Sequence, residues 1–231
     1  MTEYPIANAD EPSASFVVWA WDFACRVFPA SFFVFLLIKN SSDLVSFRPA
    51  PDIASIHFSI SVCAKLSIIL FVGLHCIVFV LRLRPVEKAR GLLPRVMAIA
   101  GSFFFYLLAL PRGDASRLQI SIGSFLVCSG TCIAILSLSK LGRSYSMMAE
   151  ARRFVTKGVY SIVRHPMYLS EEVAIVGIVI QGFSSYALAL FVIHLWIQIQ
   201  RMKNEEAVLE ETFPAYGDYK RRTARLIPHI Y

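Results

Sequence analysis

The stretch Gly158-Val-Tyr-Ser-Ile-Val-Arg-His-Pro-Met-Tyr168 leads directly into hydrocarbon. From Pro166 to Gln200 the only Asp, Glu, Lys or Arg residues are Glu171 and Glu172, and Gly182-Phe-Ser184 is the one turn signal. A second polar block follows: Arg201-Met-Lys-Asn-Glu205-Glu206, then Phe213-Pro-Ala-Tyr216-Gly-Asp-Tyr219 and Arg225-Leu-Ile-Pro228. A bilayer crossing needs about 20 mostly apolar residues. The runs 166–182 and 184–201 approach that length, and the break between them predicts a tight helical hairpin. The second run should continue past the membrane as an amphipathic helix to about Phe213.

Outward from this hairpin, apolar runs of similar kind cover roughly 15–38, 56–81, 93–110 and 118–139. The expected fold is therefore all-α and polytopic. It has about six membrane-spanning helices, a C-terminal helical hairpin and a pocket on the cytoplasmic side. Two parts are expected, an N-terminal set of four spans over 1–139 and a core over 140–231. Composition agrees: 56% of the 231 residues are hydrophobic and 17% charged, against roughly 25% charged in soluble domains. No basic leader precedes the first apolar run, so no cleavable signal peptide is expected.

The net charge of +7 matters less than its placement. With a cytoplasmic N-terminus, the inside segments hold 17 Lys and Arg residues and the outside loops four, Lys39, Arg48, Arg112 and Arg117. The positive-inside rule then puts both termini and both polar blocks on the cytoplasmic face. Basic residues so placed meet lipid headgroups, and no motif supports nucleic acid. The five cysteines lie within apolar runs, without the partners of a metal site. No metal is expected.

Pro166 suits the first turn of a helix, because its missing amide hydrogen would be unsatisfied there. Arg164 and His165 then stand beside a helix N-terminus, where free amides and the dipole attract anions. Anchoring to headgroups explains an Arg-His pair equally well. Glu171 and Glu172 fit electrostatic capping of the same helix. Arg201 and Glu205 are four apart on one face, and a solvated salt bridge accounts for such a pair. Glu206, Glu210 and Glu211 fit that account too. Tyr216 and Tyr219 fit an aromatic belt. His57, His75 and His194 stand isolated on apolar helices, as core histidines do. Asp22, Arg26 and Lys65 are ionisable residues at membrane depth, with Asp22 and Arg26 spaced to pair.

Taken in order, Gly158-Val-Tyr160, Arg164-His-Pro-x-Tyr168, Glu205-Glu206, Phe213-x-x-Tyr216-x-x-Tyr219 and Ile227-Pro228 resemble the isoprenylcysteine carboxyl methyltransferase family. That family belongs to a wider group of membrane methyltransferases that includes phospholipid N-methyltransferases. The resemblance covers roughly residues 140–230. It implies an S-adenosylmethionine-dependent methyltransferase acting on a lipophilic acceptor in the bilayer. The implied cofactor contacts are Phe154, Val155, Tyr160, Arg164, His165, Pro166, Met167, Tyr168 and Glu205. Arg201 matches the position near the methyl acceptor, so Arg201 and Glu205 are the implied catalytic residues. Ser170, Glu171 and Glu172 depart from the prenylcysteine pattern, which often has Gly and then apolar residues there. Phospholipid or small-thiol methyltransfer, NADPH-dependent reduction, and non-catalytic transport or lipid binding are the alternatives.

Overall fold

A computed structural model describes residues 16–47, 56–83, 85–104 and 115–228. A described helix overlaps each of the six apolar runs: α1 (Phe16–Val45), α2 (Ile56–Leu81), α3 (Leu93–Phe103), α4 (Arg117–Leu141), α5 (Pro166–Gln181) and α6 (Ser185–Thr212), while positions 105–110 of the third run lie outside the described residues. A short helix, α7 (Tyr216–Arg222), follows. Among the described residues, β1 (Glu87–Lys88) pairs antiparallel with β2 (Glu150–Ala151), and Val163 and Ala224 form an isolated parallel bridge. Two of the described helical stretches, Phe58–Leu81 and Arg117–Ser144, are long and apolar enough to cross a membrane. The molecule is mostly helical. The side chains of Asp22, Arg26 and His57 lie outside what the structure describes.

Local signals set the helix ends. Ser116 caps α4 through a capping box with Gln119. Pro166 opens α5 at its first turn. The Ser184 side chain accepts from the Ala187 amide and starts α6 immediately after the turn. Helix α6 then runs without interruption to Thr212. Its first half carries the apolar run and its second half carries Arg201 and Glu205 into the polar layer.

The tightest packing joins α4 to α5, and small residues permit it. A Cβ on Gly123 would come within 2.5 Å of the Gly177 carbonyl oxygen, and one on Gly130 within 2.6 Å of the Ser170 carbonyl oxygen. Close backbone approach of this kind suits helices in lipid, where apolar burial supplies no net drive between helices. Ser170 therefore serves packing, with its hydroxyl bonded to the Met167 carbonyl at 2.6 Å.

Between α4 and α5 the chain leaves helix and builds one wall of a cleft. Leu83 and Arg143 tie this segment to the end of α2, with the Leu83 amide donating to the Arg143 carbonyl at 2.7 Å. The Val86 and Ala89 amides extend the pairing to Ala151 and Ala149. Gly158 has φ +68°, a left-handed conformation that favours glycine. It starts the 3₁₀ turn Gly158–Ser161 that leads into α5.

Candidate active site

The non-helical segment, the start of α5, the second half of α6 and α7 line one open cleft. Phe154, Val155, Tyr160, Arg164, His165, Met167, Tyr168, Arg201 and Glu205 all line it. Pro166 does not line it; it is buried at the first turn of α5. Of the residues implied by sequence, all but this one share a single concavity.

Two of the lining residues, Arg164 and His165, turn away from the cleft into an ionic hub around Glu206. Its carboxylate accepts from Arg164 Nε at 2.9 Å and from Arg225 Nη2 at 2.8 Å, and His165 Nε2 lies 3.0 Å away. Arg164 also donates to the Lys220 carbonyl at 2.9 Å and to the Thr223 carbonyl. The Arg164 and His165 amides donate to the Ala224 and Arg225 carbonyls, which laces the C-terminal segment onto the start of α5. Burial alone would raise the Glu206 carboxyl, but the hydrogen bonds from His165, Arg225 and Arg164 outweigh it and hold it well below the usual carboxylate range. Glu206 is thus a buried structural centre, not the solvated ion pair expected from sequence. Glu210 does form such an exposed pair, with Lys220 at 2.8 Å.

Glu205 faces the opposite way, into the cleft. The Tyr168 hydroxyl donates to its Oε1, and its Oε2 lies 4.0 Å from His165 Nδ1. Burial raises this carboxyl above its ordinary value, against the pull of His165 and Arg201. Tyr160 is buried with a hydroxyl that has no hydrogen-bond partner among the described residues, and burial lifts that hydroxyl's pKa well above its usual value. Tyr216 and Tyr219 are buried as well and pack with Phe154, whose ring lies 5.4 and 5.2 Å from theirs. The Tyr219 hydroxyl donates to the Tyr160 carbonyl at 2.6 Å. These two tyrosines build the site; they do not form a belt in the headgroup layer.

Arg201 and Glu205 do not pair with each other. Arg201 Nη1 donates to Gln198 Oε1 at 2.8 Å and Nη2 to the Met147 carbonyl at 3.3 Å. Its guanidinium carbon stands 5.0 Å from the Tyr168 ring centroid. Among the described residues no carboxylate pairs with it, and its Nε is buried without a partner. Glu171 also lines the cleft and accepts from Gln198 Nε2 at 2.7 Å. Glu172 faces His194 at 3.3 Å. The two acids therefore engage α6 instead of capping α5, and His194 is not isolated. His75, by contrast, is a core histidine: Nδ1 lies 3.0 Å from the Phe71 carbonyl, and the ring stacks on Phe33.

Sequence reasoning did not find the second wall. Tyr145, Ser146, Met148, Glu150 and Arg152 line the cleft, with Arg152 paired to Glu150 at 2.5 Å and Ser146 donating to Glu150 at 2.8 Å. An acid-base pair only two residues apart in a basic, aperiodic segment gives no periodic signal. Among the described residues, no group of three or more His, Cys, Asp or Glu is placed to hold a metal ion.

Residues 118–216 match the family model described as phospholipid methyltransferase. That match takes in α4, which the sequence reading grouped with the N-terminal spans. The chain is 30% identical over 129 residues to the nickel-cobalt-cadmium resistance protein of Alcaligenes xylosoxydans xylosoxydans, covering 54% of this chain and 60% of that protein. It is 30% identical over 123 residues to the protein-S-isoprenylcysteine O-methyltransferase of Saccharomyces cerevisiae, covering 50% of this chain and 52% of that enzyme. The enzyme of the same name from Schizosaccharomyces pombe is also 30% identical, over 119 residues, 48% of this chain and 50% of that enzyme. The chain thus spans about half the length of the curated relatives it matches.

Proposed function

We propose that this protein is an integral membrane methyltransferase, a reading supported by the match of residues 118–216 to the phospholipid methyltransferase family model and by the likeness to protein-S-isoprenylcysteine O-methyltransferases. It uses S-adenosylmethionine and methylates a carboxylate on a lipophilic acceptor. The observation that carries the carboxylate is Arg201. A buried cation without an anionic partner is costly, and this one lies in the wall of the cleft, where an incoming carboxylate would complete it. Arg201 then orients that carboxylate through its planar fork of donors.

The cleft suits the cofactor. Its aromatic faces, Tyr160 and Tyr168, attract a sulfonium by about 0.5–2 kcal/mol. The orphaned Tyr160 hydroxyl and the cleft-facing Glu205 offer a donor and an acceptor to ribose or amine groups. Phe154, Val155 and Met167 cover apolar surface. The N-terminus of α5 favours an anionic end, with Pro166 fixing its first turn. His165 and Arg164, turned toward Glu206, hold this frame. When bound, the cofactor supplies an electrophilic methyl group. The protein's contribution is alignment and exclusion of water; the carboxylate becomes a neutral ester, so no base is required.

We further infer a six-span arrangement with both termini and the cleft cytoplasmic, on the strength of the Lys and Arg distribution. The core is 140–231, with 1–139 as the N-terminal spans, and the acceptor comes from the lipid bilayer. Calorimetry with S-adenosylhomocysteine tests the reading. Binding is expected, lost in Glu205→Ala; a wild type that binds none rejects it. One observation favours a second reading, an amine acceptor of the phospholipid type. Glu171 is a cleft-lining carboxylate that could take the proton an amine sheds.

A further inference from the structure

Gln198 is fully buried on α6 and is hydrogen-bonded on both sides by opposite charges. Its Oε1 accepts from Arg201 Nη1 at 2.8 Å, and its Nε2 donates to Glu171 Oε2 at 2.7 Å. A neutral primary amide can satisfy a cation and an anion at once, because it carries an acceptor and a donor on one planar group. The other polar contacts of Arg201 are also neutral: the Met147 carbonyl and the Tyr168 ring face. Two opposite charges in one wall of a poorly solvated cleft attract strongly, yet here an amide stands between them. Helix α3 closes the arrangement from behind. A Cβ on Gly101 would come within 2.4 Å of Arg201 Cδ and 3.0 Å of Gln198 Oε1, so neither side chain can retreat in that direction.

We propose that Gln198 is a positioning residue that holds Arg201 out of an ion pair with Glu171. The guanidinium thereby stays open to the acceptor's carboxylate. This rests on the reading of Arg201 as the acceptor-binding group. Without the amide, Glu171 becomes an internal competitor for the same guanidinium edge. The acceptor must then displace it, and affinity for the acceptor falls while the cofactor half of the cleft is untouched.

The test uses the full-length protein in lipid vesicles, methyl-labelled S-adenosylmethionine and N-acetyl-S-farnesylcysteine as the carboxylate probe. Gln198→Leu should raise KM for the probe at least tenfold and leave S-adenosylhomocysteine affinity within twofold of wild type. Adding Glu171→Gln removes the competitor and should recover most of that loss, which a merely structural role for Gln198 would not allow. Gln198→Glu retains a polar side chain of the same size and places a carboxylate on Arg201. It should lose the probe as Gln198→Leu does, but without rescue by Glu171→Gln. Unchanged KM in both single variants, or a Gln198→Leu/Glu171→Gln double variant without recovery, overturns the proposal. A wild type that leaves the probe unmethylated rejects the underlying acceptor reading and this inference with it.

Discussion

Tyr168 touches both halves of the cleft: its ring lies 5.0 Å from the Arg201 guanidinium carbon, and its hydroxyl donates to Glu205. One side chain thus ties the group assigned to the acceptor to a group assigned to the cofactor. The two functions separate by substitution. Tyr168→Phe keeps the ring and frees Glu205, so it should weaken S-adenosylhomocysteine binding and leave acceptor KM nearly unchanged. Tyr168→Leu also removes the cation–π contact of about 0.5–2 kcal/mol, so acceptor KM should rise as well. Calorimetry and initial-rate kinetics on both variants provide the comparison.

Glu205 should trade stability for function. Its buried carboxyl titrates above the ordinary range, so the ionised form costs folding free energy at neutral pH. That cost is relieved as pH falls through the raised folded value. Glu205→Gln should therefore melt at a higher temperature than wild type in the absence of ligand, yet bind S-adenosylhomocysteine at least tenfold more weakly. Wild-type binding should weaken on acidification at a pH above the ordinary carboxylate value of about 4.3. Differential scanning fluorimetry and pH-dependent calorimetry check both signs.

Glu206 should behave in the opposite sense. Its carboxyl is held below the ordinary range, so its stabilisation is full above the unfolded value of about 4.3. It is lost as pH falls toward the depressed folded value. Glu206→Gln leaves the buried Arg164 uncompensated and should cost about 3–5 kcal/mol at neutral pH. The variant should also flatten the acid limb of the stability curve, read by thermal unfolding in detergent across pH 3–7.

The α4–α5 contact fixes the angle at which α5 delivers Met167 and Tyr168 to the cleft. Gly123→Ala sets a Cβ within 2.5 Å of the Gly177 backbone oxygen. We expect a loss of about 1–3 kcal/mol from overpacking, measured as a lower melting temperature. Gly101→Ala collides with Arg201 Cδ instead, so its signature should be a raised acceptor KM with cofactor affinity retained.

The helices were legible because hydrocarbon length and turn residues report them directly: Pro166 and Gly182-Phe-Ser184 mark ends that the structure reproduces. The cleft-lining residues were legible only as an ordered set, since Tyr160, His165 and Glu205 are each commonplace alone. What stayed hidden depended on contacts across elements. Nothing local distinguishes Glu206, the shared partner of Arg164, His165 and Arg225, from Glu210, an exposed ion pair. Glu171 and Glu172 read as capping acids because Gln198 and His194, their partners, lie more than 20 residues away on another helix. The Glu150–Arg152 wall lacked any periodicity to betray it.

Methyl transfer to a carboxylate gives a product with a chemical signature. The protein, reconstituted with methyl-labelled S-adenosylmethionine and N-acetyl-S-farnesylcysteine, should release label as methanol when the product is treated with base, as a methyl ester does. Arg201→Ala should abolish that label. Label that resists base, as an N- or S-methyl group would, or label unaffected by Arg201→Ala, contradicts the account.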